Sequence, residues 1–282
     1  MSRSLLAVLA HPDDESYGIG GTLARYAAEG VDVHVAIATD GAAGSVDTKW
    51  AGDRSRLADV RTQELKAAAR VLGVTVHNLG YKDSGYIGDG ANEDPQSFMN
   101  VDQVSATGQV VKLIRELKPE IVVTHDETGG YYHPDHICCF QITTPAFFAA
   151  GDEAKYPEIG PAPFHPNRLY YTAFSNRWVK IITIFMRLRG LDPTRVGRNQ
   201  DIDLTEMGVP KEKITTTINY RRYWEQKRLA SAEHRSQGGG TGFSRLIPIW
   251  IQKLLFSQET YIRAYPEPLG RLREKSFFED SD

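Results

Sequence analysis

The sequence predicts an α/β protein built on a doubly wound, mostly parallel sheet with helices on both faces. Two observations predict it: short apolar runs alternate with segments of helical composition, and the apolar runs are followed directly by polar residues. Runs that stay apolar are typical of strands buried on both faces of a parallel sheet. Ligands of such sheets bind outside the carboxyl ends of the strands, so we expect the functional residues there.

The chain opens with a predicted strand, helix and strand. Residues 5–10 are almost entirely apolar, and residues 20–29 have helical composition and stop at Gly30. Residues 31–39 alternate and then turn apolar, which predicts the second strand. His11 follows the first strand directly.

The same alternation repeats twice. Residues 54–72 have helical composition and spacing and lead to a third strand at 74–79. Residues 101–118 form a predicted helix that a proline stops, and residues 120–125 form the fourth strand. The polar residues expected at one edge of the sheet are His11, Asp40, Asp83 and His125.

The pattern loosens in the second half of the chain. We predict a helix over residues 135–149, an irregular proline-rich connection over 151–167, a strand over 170–175 and a long helix over 214–234. With 282 residues, the chain suits one α/β domain with an appended segment. The catalytic core is expected in residues 1–175. An α+β extension, residues 176–282, is expected to cap the strand ends and shape the substrate pocket within the same structural domain.

Composition excludes several functional classes. The net charge of −3 gives no basic footprint for nucleic acid, and no segment approaches the roughly 18 uninterrupted apolar residues of a membrane span. The neighbouring Cys138 and Cys139 are expected in a helix without a disulfide. The first residues lack a signal-peptide pattern, which favours the cytoplasm. We expect a small-molecule partner without nucleic acid or stable membrane insertion, and leave a homo-oligomer open.

Two short runs carry the chemistry, Ala-His-Pro-Asp-Asp-Glu at residues 10–15 and Tyr-Tyr-His-Pro-Asp-His at residues 131–136. A catalytic zinc site takes three histidine or carboxylate ligands and keeps a fourth position for water. His11 and Asp14 can reach one cation while Asp13 points elsewhere as a base. His133 and His136 lie on one face of a helical turn, so that one can bind metal while the other faces substrate. The runs predict a metal-dependent hydrolase.

These runs, with Gly20-Gly21 and Gly129-Gly130, resemble the zinc-dependent N-acetylglucosaminyl deacetylase family, also called LmbE-like or PIG-L-like. The resemblance covers residues 4 to 150 well and the remainder loosely. It implies a Rossmann-like sheet and hydrolysis of an N-acyl, typically N-acetyl, group from an N-acetylglucosamine-type amino sugar or its glycoside. Zinc is the implied ion, with ferrous iron as the alternative.

The resemblance also implies residue roles. The implied metal ligands are His11, Asp14 and His136, with Asp13 as general base and His133 stabilising the oxyanion. Tyr131 matches a tyrosine that hydrogen-bonds the carbonyl oxygen. The implied substrate contacts are Arg61 and Asp83, while Asp135 is expected to orient a histidine. The proton for the leaving amine is left open between Asp13 and His133. Lys227 and residues 234–237 match a stretch that approaches the site from the C-terminal part.

Other functions are also compatible with parts of the sequence. A glycine cluster at residues 18–21 suggests dinucleotide binding, but the acidic turn before it would repel a pyrophosphate. Amidase action on cysteinyl-glucosamine thiol S-conjugates, as in the mycothiol S-conjugate branch of the family, uses the same zinc chemistry. A metal-dependent phosphoesterase is a further alternative. The apolar and basic segments 178–188 and 243–256 would suit a non-catalytic carbohydrate-binding or membrane-surface protein, or a lid or oligomer interface.

Overall fold

A computed structural model gives the fold and describes residues 3–44, 56–196, 203–239, 249–268 and 270–278. The strands are β1 (Ser4–Leu9), β2 (Asp32–Thr39), β3 (Thr75–Tyr81), β4 (Ile121–Thr124), β5 (Arg168–Ala173), β6 (Thr216–Asn219) and β7 (Gln258–Tyr265). The helices are α1 (Asp14–Tyr17), α2 (Gly20–Ala28), α3 (Leu57–Leu72), α4 (Gln103–Leu117), α5 (Pro134–Ala149), α6 (Asn176–Leu188), α7 (Trp224–Glu233) and α8 (Ile249–Leu255). Residues 54 and 55 of the helix predicted over residues 54–72, and residues 243–248, lie outside the described residues.

The strands form one seven-stranded sheet in the order β3-β2-β1-β4-β5-β7-β6. The pairs from β3 to β5 are parallel, with Ser4 opposite Asp32 between β1 and β2. The last two pairs are antiparallel. The predicted α/β class with a mostly parallel sheet is therefore confirmed, and strands of residues 176–282 complete the same sheet.

Apolar side chains of β1 feed two cores on opposite faces of the sheet. Leu5, Ala7 and Leu9 pack into a cluster with α2 and α3, whereas Leu6 and Val8 pack into a cluster with α4 and α5. Every residue of β1 is buried. This two-sided burial explains why the strand reads as a continuous apolar run and fixes its carboxyl end firmly.

The long helix predicted over residues 214–234 is wrong in its first part. Thr216–Asn219 forms β6 and pairs with β7, and the helix α7 begins only at Trp224. Threonine and isoleucine lose rotamer freedom in a helix and suit a half-buried strand, so the local preference of this Thr-Thr-Ile run agrees with its pairing. The strand β7, which supplies the partner, was not predicted.

The two cysteines lie on α5 as predicted. Both are buried free thiols, and burial raises the pKa of Cys138 to about 12.

The helices were also compared with the requirements of a membrane span. Among the described residues, no helix has both the length and the hydropathy that crossing a bilayer requires.

A buried arginine fixes the irregular connection after α5. Arg115 on α4 is 2% exposed. Its guanidinium donates hydrogen bonds of 2.7–3.1 Å to main-chain carbonyls of the connection. The accepting residues are Ala150, Asp152, Lys155, Tyr156 and Ile159. The carbonyls of Ala150, Asp152 and Tyr156 also accept backbone amides, so the guanidinium adds a shared donor that holds the turns of this connection together.

We predict that Arg115→Met lowers the free energy of unfolding by about 3 kcal/mol or more, because five hydrogen bonds from a charged donor to the connection are lost at once. Urea unfolding measures this change. Arg70→Met, at an exposed position of α3, is the matched control and should stay within about 0.5 kcal/mol of the parent. Equal losses in both variants would contradict this role of Arg115.

Candidate metal centre

The candidate site lies where the carboxyl ends of neighbouring strands meet. His11 and His125 follow β1 and β4, and Asp83 comes two residues after β3. The helix α5 carries Asp135 and His136 in its first turn. The two motifs of the sequence therefore meet at one edge of the sheet, where a parallel sheet places its ligands.

The turn that carries Asp13 has an unusual backbone. Asp13 has a φ of 128°, a value that side-chain-bearing residues rarely adopt. Its carbonyl accepts hydrogen bonds from the amides of Ser16 and Tyr17, and its own amide donates to Glu15 over 2.9 Å. Backbone strain held in place by such contacts is typical of functional sites. The turn gives Asp13 and Asp14 different neighbours although they are adjacent in sequence.

A glycine allows the second motif to close on itself. Gly129 has a φ of 61°, and a Cβ there would lie 2.6 Å from the Cβ of His136. Its carbonyl accepts a hydrogen bond of 3.0 Å from Nδ1 of His136. Only glycine permits this close approach, and the bond fixes which imidazole nitrogen faces the site.

The three predicted metal ligands, His11, Asp14 and His136, form a compact triangle. Nδ1 of His11 lies 3.3 Å from Nε2 of His136, and Oδ2 of Asp14 lies 3.6 Å and 3.4 Å from these two atoms. Ligands held at 2.0–2.1 Å around a tetrahedral zinc ion are separated by about 3.3–3.4 Å. The triangle therefore fits a zinc-sized cation with little rearrangement.

The hydrogen bonds of both imidazoles point their free nitrogens inward. Nε2 of His11 contacts the carboxylate of Asp135 at 3.1 Å, and the outer nitrogen of His136 is bound to a carbonyl. Because carboxylate and carbonyl oxygens accept, the outer nitrogens carry the protons and the inner nitrogens present lone pairs. Two lone pairs that face each other at 3.3 Å call for a cation or a proton between them. Asp135 thus has the orienting position expected from the sequence.

Charge inside the site is balanced between histidines and carboxylates. Burial alone would lower the pKa of His11, but the carboxylates of Asp83, Asp135 and Asp14 hold it well above its usual value. Burial would raise the pKa of Asp14, yet the histidines around it hold it well below its usual range. Burial keeps the pKa of His136 well below its ordinary value. Asp14 is therefore a carboxylate and His136 a neutral imidazole, the forms that bind a metal.

Asp13 stands apart from this network. Burial raises its pKa to about 6, although the guanidinium of Arg61 lowers it and the carboxylate of Asp14 raises it further. Nη2 of Arg61 lies 3.0 Å from its Oδ2. A carboxyl group with a pKa close to neutrality suits proton transfer better than an ordinary aspartate does.

Arg61 is buried within the protein at the site. Its guanidinium donates to the carbonyl of Gly41 over 2.6 Å, to the carbonyl of Pro12 and to the carboxylate of Asp13. Glu64, one turn along the helix, accepts hydrogen bonds from Ser236 and not from Arg61. The hydrogen bonds of Arg61 are thus to the turn of the first motif and to the loop after β2.

His133 and Tyr131 face the triangle from the side of the second motif. Nδ1 of His133 accepts a hydrogen bond from the amide of Asp135, so its proton lies on Nε2. Burial, helped by the charge of His11, lowers the pKa of His133 to about 3. The hydroxyl of Tyr131 lies 3.5 Å from Nε2 of His136, whereas Tyr132 is exposed. Burial keeps the pKa of Tyr131 above its usual value, so both side chains offer neutral hydrogen-bond donors.

Asp83 lies behind the triangle. Its carboxylate accepts hydrogen bonds from the amides of Ala43 and Gly85 and lies 3.6 Å from Nε2 of His11. It is 5% exposed. These contacts support the loops around the site and add to the negative charge that faces His11.

A fourth histidine borders the site. Nε2 of His125 accepts a hydrogen bond from the amide of Ala10 and lies 3.6 Å from Asp14, and its ring stacks on His136 at 3.9 Å. The sequence placed His125 at this edge but gave it no role. Its position after β4 was the only available signal, because the residue belongs to neither motif.

The C-terminal part reaches the site through buried polar contacts. His234 is fully buried and contacts the carboxylate of Glu15 at 2.7 Å, and Ser236 binds Glu64. Lys227 pairs with Glu259 at 2.5 Å and donates a hydrogen bond to the carbonyl of Gly18, which directly follows α1. These contacts fix the segment after α7 against the turn of the first motif.

Several overlapping groups of side chains in the described residues could hold a cation. They are His11 with His133 and His136; Asp14 with His125 and His136; and His11 with Asp83 and Asp135. The triangle takes members from these groups, and the carboxyl group of Asp13 and the neutral donors of His133 and Tyr131 lie near it. A metal, a base and hydrogen-bond donors around one point suit hydrolysis of a carbonyl compound.

Comparisons with known proteins agree with this arrangement. The family model described as "PIG-L: GlcNAc-PI de-N-acetylase" matches residues 6–147. The chain is 40% identical over 250 residues to the 1D-myo-inositol 2-acetamido-2-deoxy-alpha-D-glucopyranoside deacetylase of Rhodococcus jostii, with 83% of this chain and 82% of the relative covered.

Solved structures share the fold at low sequence identity. N,N'-diacetylchitobiose deacetylase from Pyrococcus horikoshii superposes with a TM-score of 0.64 at 19% identity, covering 95% of this chain and 88% of the other. GalB, the 4-carboxy-2-hydroxymuconate hydratase from Pseudomonas putida KT2440, gives a TM-score of 0.59, also at 19% identity, over 96% of this chain and 99% of its own. Since a deacetylase and a hydratase share this fold, the fold alone does not determine the reaction. The family match and the relative from Rhodococcus together establish that the chain belongs to the PIG-L family, as its two histidine motifs had indicated.

Proposed function

We propose that the protein is a zinc-dependent deacetylase that removes the N-acetyl group from an N-acetylglucosamine glycoside. The chain is an amide-hydrolysing enzyme of the PIG-L family. The observation that carries the zinc assignment is the triangle of His11, Asp14 and His136, whose edges of 3.3–3.6 Å match a tetrahedral zinc ion. The free cysteines on α5 agree with a reducing compartment, and we propose the cytoplasm.

The relatives support the identity of the sugar. The matching family is described by an N-acetylglucosaminyl substrate, and the Rhodococcus relative by an acetamido sugar linked to myo-inositol. We infer that the substrate is an N-acetylglucosaminide and that inositol is the aglycone to test first. Cleavage of a cysteinyl-glucosamine S-conjugate remains the second candidate, since the same residues would serve it.

The protein residues divide the work of hydrolysis among them. When bound at the triangle, zinc supplies a Lewis acid that polarises a carbonyl and brings the pKa of water towards about 7. Asp13 accepts the proton of the water that attacks the acetamide carbon. Nε2–H of His133 and the hydroxyl of Tyr131 donate to the carbonyl oxygen as it becomes negative.

The departing amine then needs a proton. His133 is a poor source because burial keeps its pKa at about 3 and its Nδ1 is already an acceptor. Asp13, with a pKa of about 6, can return the proton that it took. The C–N bond breaks, the amine leaves protonated and acetate is the second product.

We propose that Arg61 acts on Asp13 rather than on the substrate. Its guanidinium is buried and contacts the carbonyls of Pro12 and Gly41 as well as the Asp13 carboxylate. These contacts position the base and hold its pKa lower than burial alone would. Nε of Arg61 has no hydrogen-bond partner among the described residues but is buried, so the substrate contact that the resemblance implied would have to reach an enclosed nitrogen.

The substrate assignment is tested by release of primary amine from N-acetylglucosaminyl-inositol and from a matched S-conjugated cysteinyl-glucosamine. We expect zinc-loaded protein to cleave the acetamide and a chelated sample to be inactive. Preference for the cysteinyl amide would move the protein to the S-conjugate amidases. Cleavage by the chelated sample would contradict metal dependence.

Two substitutions separate the base from the ligands. We expect Asp13→Asn to keep its zinc but lose about 10²–10⁴-fold in kcat, because a general base contributes that much. His136→Ala should weaken zinc binding by more than about 100-fold, since losing even an orienting partner costs 10–100-fold. The zinc that each variant retains after gel filtration and its turnover number are measured on the same samples. His77→Ala, on β3, is the histidine control, and near-normal turnover in Asp13→Asn would refute the assigned base.

The rate should depend on the ionisation of Asp13. Because the base works only when deprotonated, kcat/KM should fall as the pH drops through about 6. Arg61→Gln removes a charge that lowers the pKa of Asp13, so the acid limb should move to higher pH, and Arg61→Lys should move it back in part. A pH–rate profile with separate kcat and KM checks this. An unmoved acid limb with a raised KM would instead make Arg61 a substrate contact.

A further inference from the structure

The helix α6 exposes its apolar face. Ile181, Ile184, Phe185 and Leu188 follow the spacing of one helical stripe, and the last three are 55%, 56% and 77% exposed. Among the side chains of this helix that the structure describes, the buried one is a threonine, Thr183. An ordinary surface helix has the reverse arrangement, so this face is built to contact something other than water.

The helix α8 repeats this exposure. Ile249, Trp250 and Leu254 are exposed, with Trp250 at 68%, and Phe256 just after the helix is exposed as well. Lys253 lies within the same short helix. Tryptophan and lysine next to aliphatic residues are typical of segments that lie at a membrane–water interface.

Both helices leave the sheet at the edge that carries the candidate site. The helix α6 follows β5 and α8 precedes β7, and these strands are antiparallel with Ala173 opposite Thr260. Phe174 directly follows β5, and its ring lies 3.8 Å from where a Cβ of Gly130, in the loop of the second motif, would be. A surface that covers α6 and α8 would therefore lie at the same edge of the sheet as the site.

The charge of this region is one-sided. Residues 174–191 contain four arginines and lysines and no aspartate or glutamate, although the whole chain has a net charge of −3. A cavity of about 600 Å³ adjoins α8 and is lined by Arg25, Arg221, Arg222 and Lys253, together with Glu29. Arg25 pairs with Glu29, while in the described part of the chain Arg221, Arg222 and Lys253 form no ion pair. The cavity has the charge and size for a phosphate-bearing headgroup.

We propose that the exposed faces of α6 and α8 dock the protein on an anionic lipid bilayer, with a lipid phosphate in the adjoining cationic cavity. Apolar side chains enter the headgroup region and the flanking cations meet anionic lipids. A second copy of the chain fits less well, because a symmetric contact between two α6 faces would bring together segments that carry four cations and no carboxylate each. Docking at the interface needs no membrane-spanning helix, and none is present among the described residues.

The test is sedimentation of the full-length protein with vesicles of phosphatidylcholine alone and of phosphatidylcholine with an equal amount of phosphatidylglycerol. We expect partitioning to the anionic vesicles only, and weakening at high salt. Phe185→Gln should reduce it by about tenfold. Replacing Arg221, Arg222 and Lys253 together by glutamine should reduce it by about 100-fold. Circular dichroism and the melting temperature verify that each variant is folded.

Matched controls make the result specific. Phe148→Gln removes a comparably exposed phenylalanine, 47% exposed, from the far end of α5. Replacing the exposed Lys66, Arg70 and Lys112 by glutamine changes the net charge equally. Both controls should bind like the parent. The proposal is overturned by absence of binding to anionic vesicles, by equal losses in variants and controls, or by a dimer in velocity sedimentation that Phe185→Gln dissociates. None of these readouts depends on the proposed enzymatic activity.

Discussion

The hydrogen bond between Nε2 of His11 and the carboxylate of Asp135 is the contact on which the site depends. It joins the two sequence motifs through residues that lie 124 positions apart, and it turns Nδ1 of His11 toward His136 and Asp14. The sheet makes this contact attainable, since β1 and β4 are neighbouring parallel strands and α5 begins close to their ends. Burial of β1 on both faces holds the end of the strand, and hence His11, in a fixed position.

Two adjacent carboxyl groups acquire different chemistry from their surroundings. Asp14 faces histidines that hold its pKa well below the usual range, whereas burial dominates at Asp13 and raises its pKa to about 6. The unusual backbone of Asp13 separates them, and Arg61 moderates the shift at the base. One aspartate of the pair therefore stays ionised as a ligand, and the other can exchange a proton. Enzymes commonly give two carboxyl groups different roles by placing them in different surroundings.

The sequence predicted the parts of the site that lie in compact motifs, because strand-end placement brings such motifs together in a parallel sheet. It also predicted the strands buried on both faces, whose apolar runs are distinctive. It missed β6, since a short Thr-Thr-Ile segment is a strand only through its pairing with β7. It could not show that Arg61 is buried, because an arginine on an amphipathic helix looks the same whether it faces water or a site. His125 had no motif to identify it, and the match of residues 234–237 to a family stretch did not show that His234 contacts Glu15.

Anomalous diffraction of zinc in crystals of the protein tests the ligand assignment most directly. We expect one zinc ion within about 2.0–2.2 Å of Nδ1 of His11, Nε2 of His136 and a carboxylate oxygen of Asp14. Asp13 should lie beside the ion without binding it. Zinc bound by His133, or held between His11, Asp83 and Asp135, would contradict the assigned ligands and with them the role of Asp13.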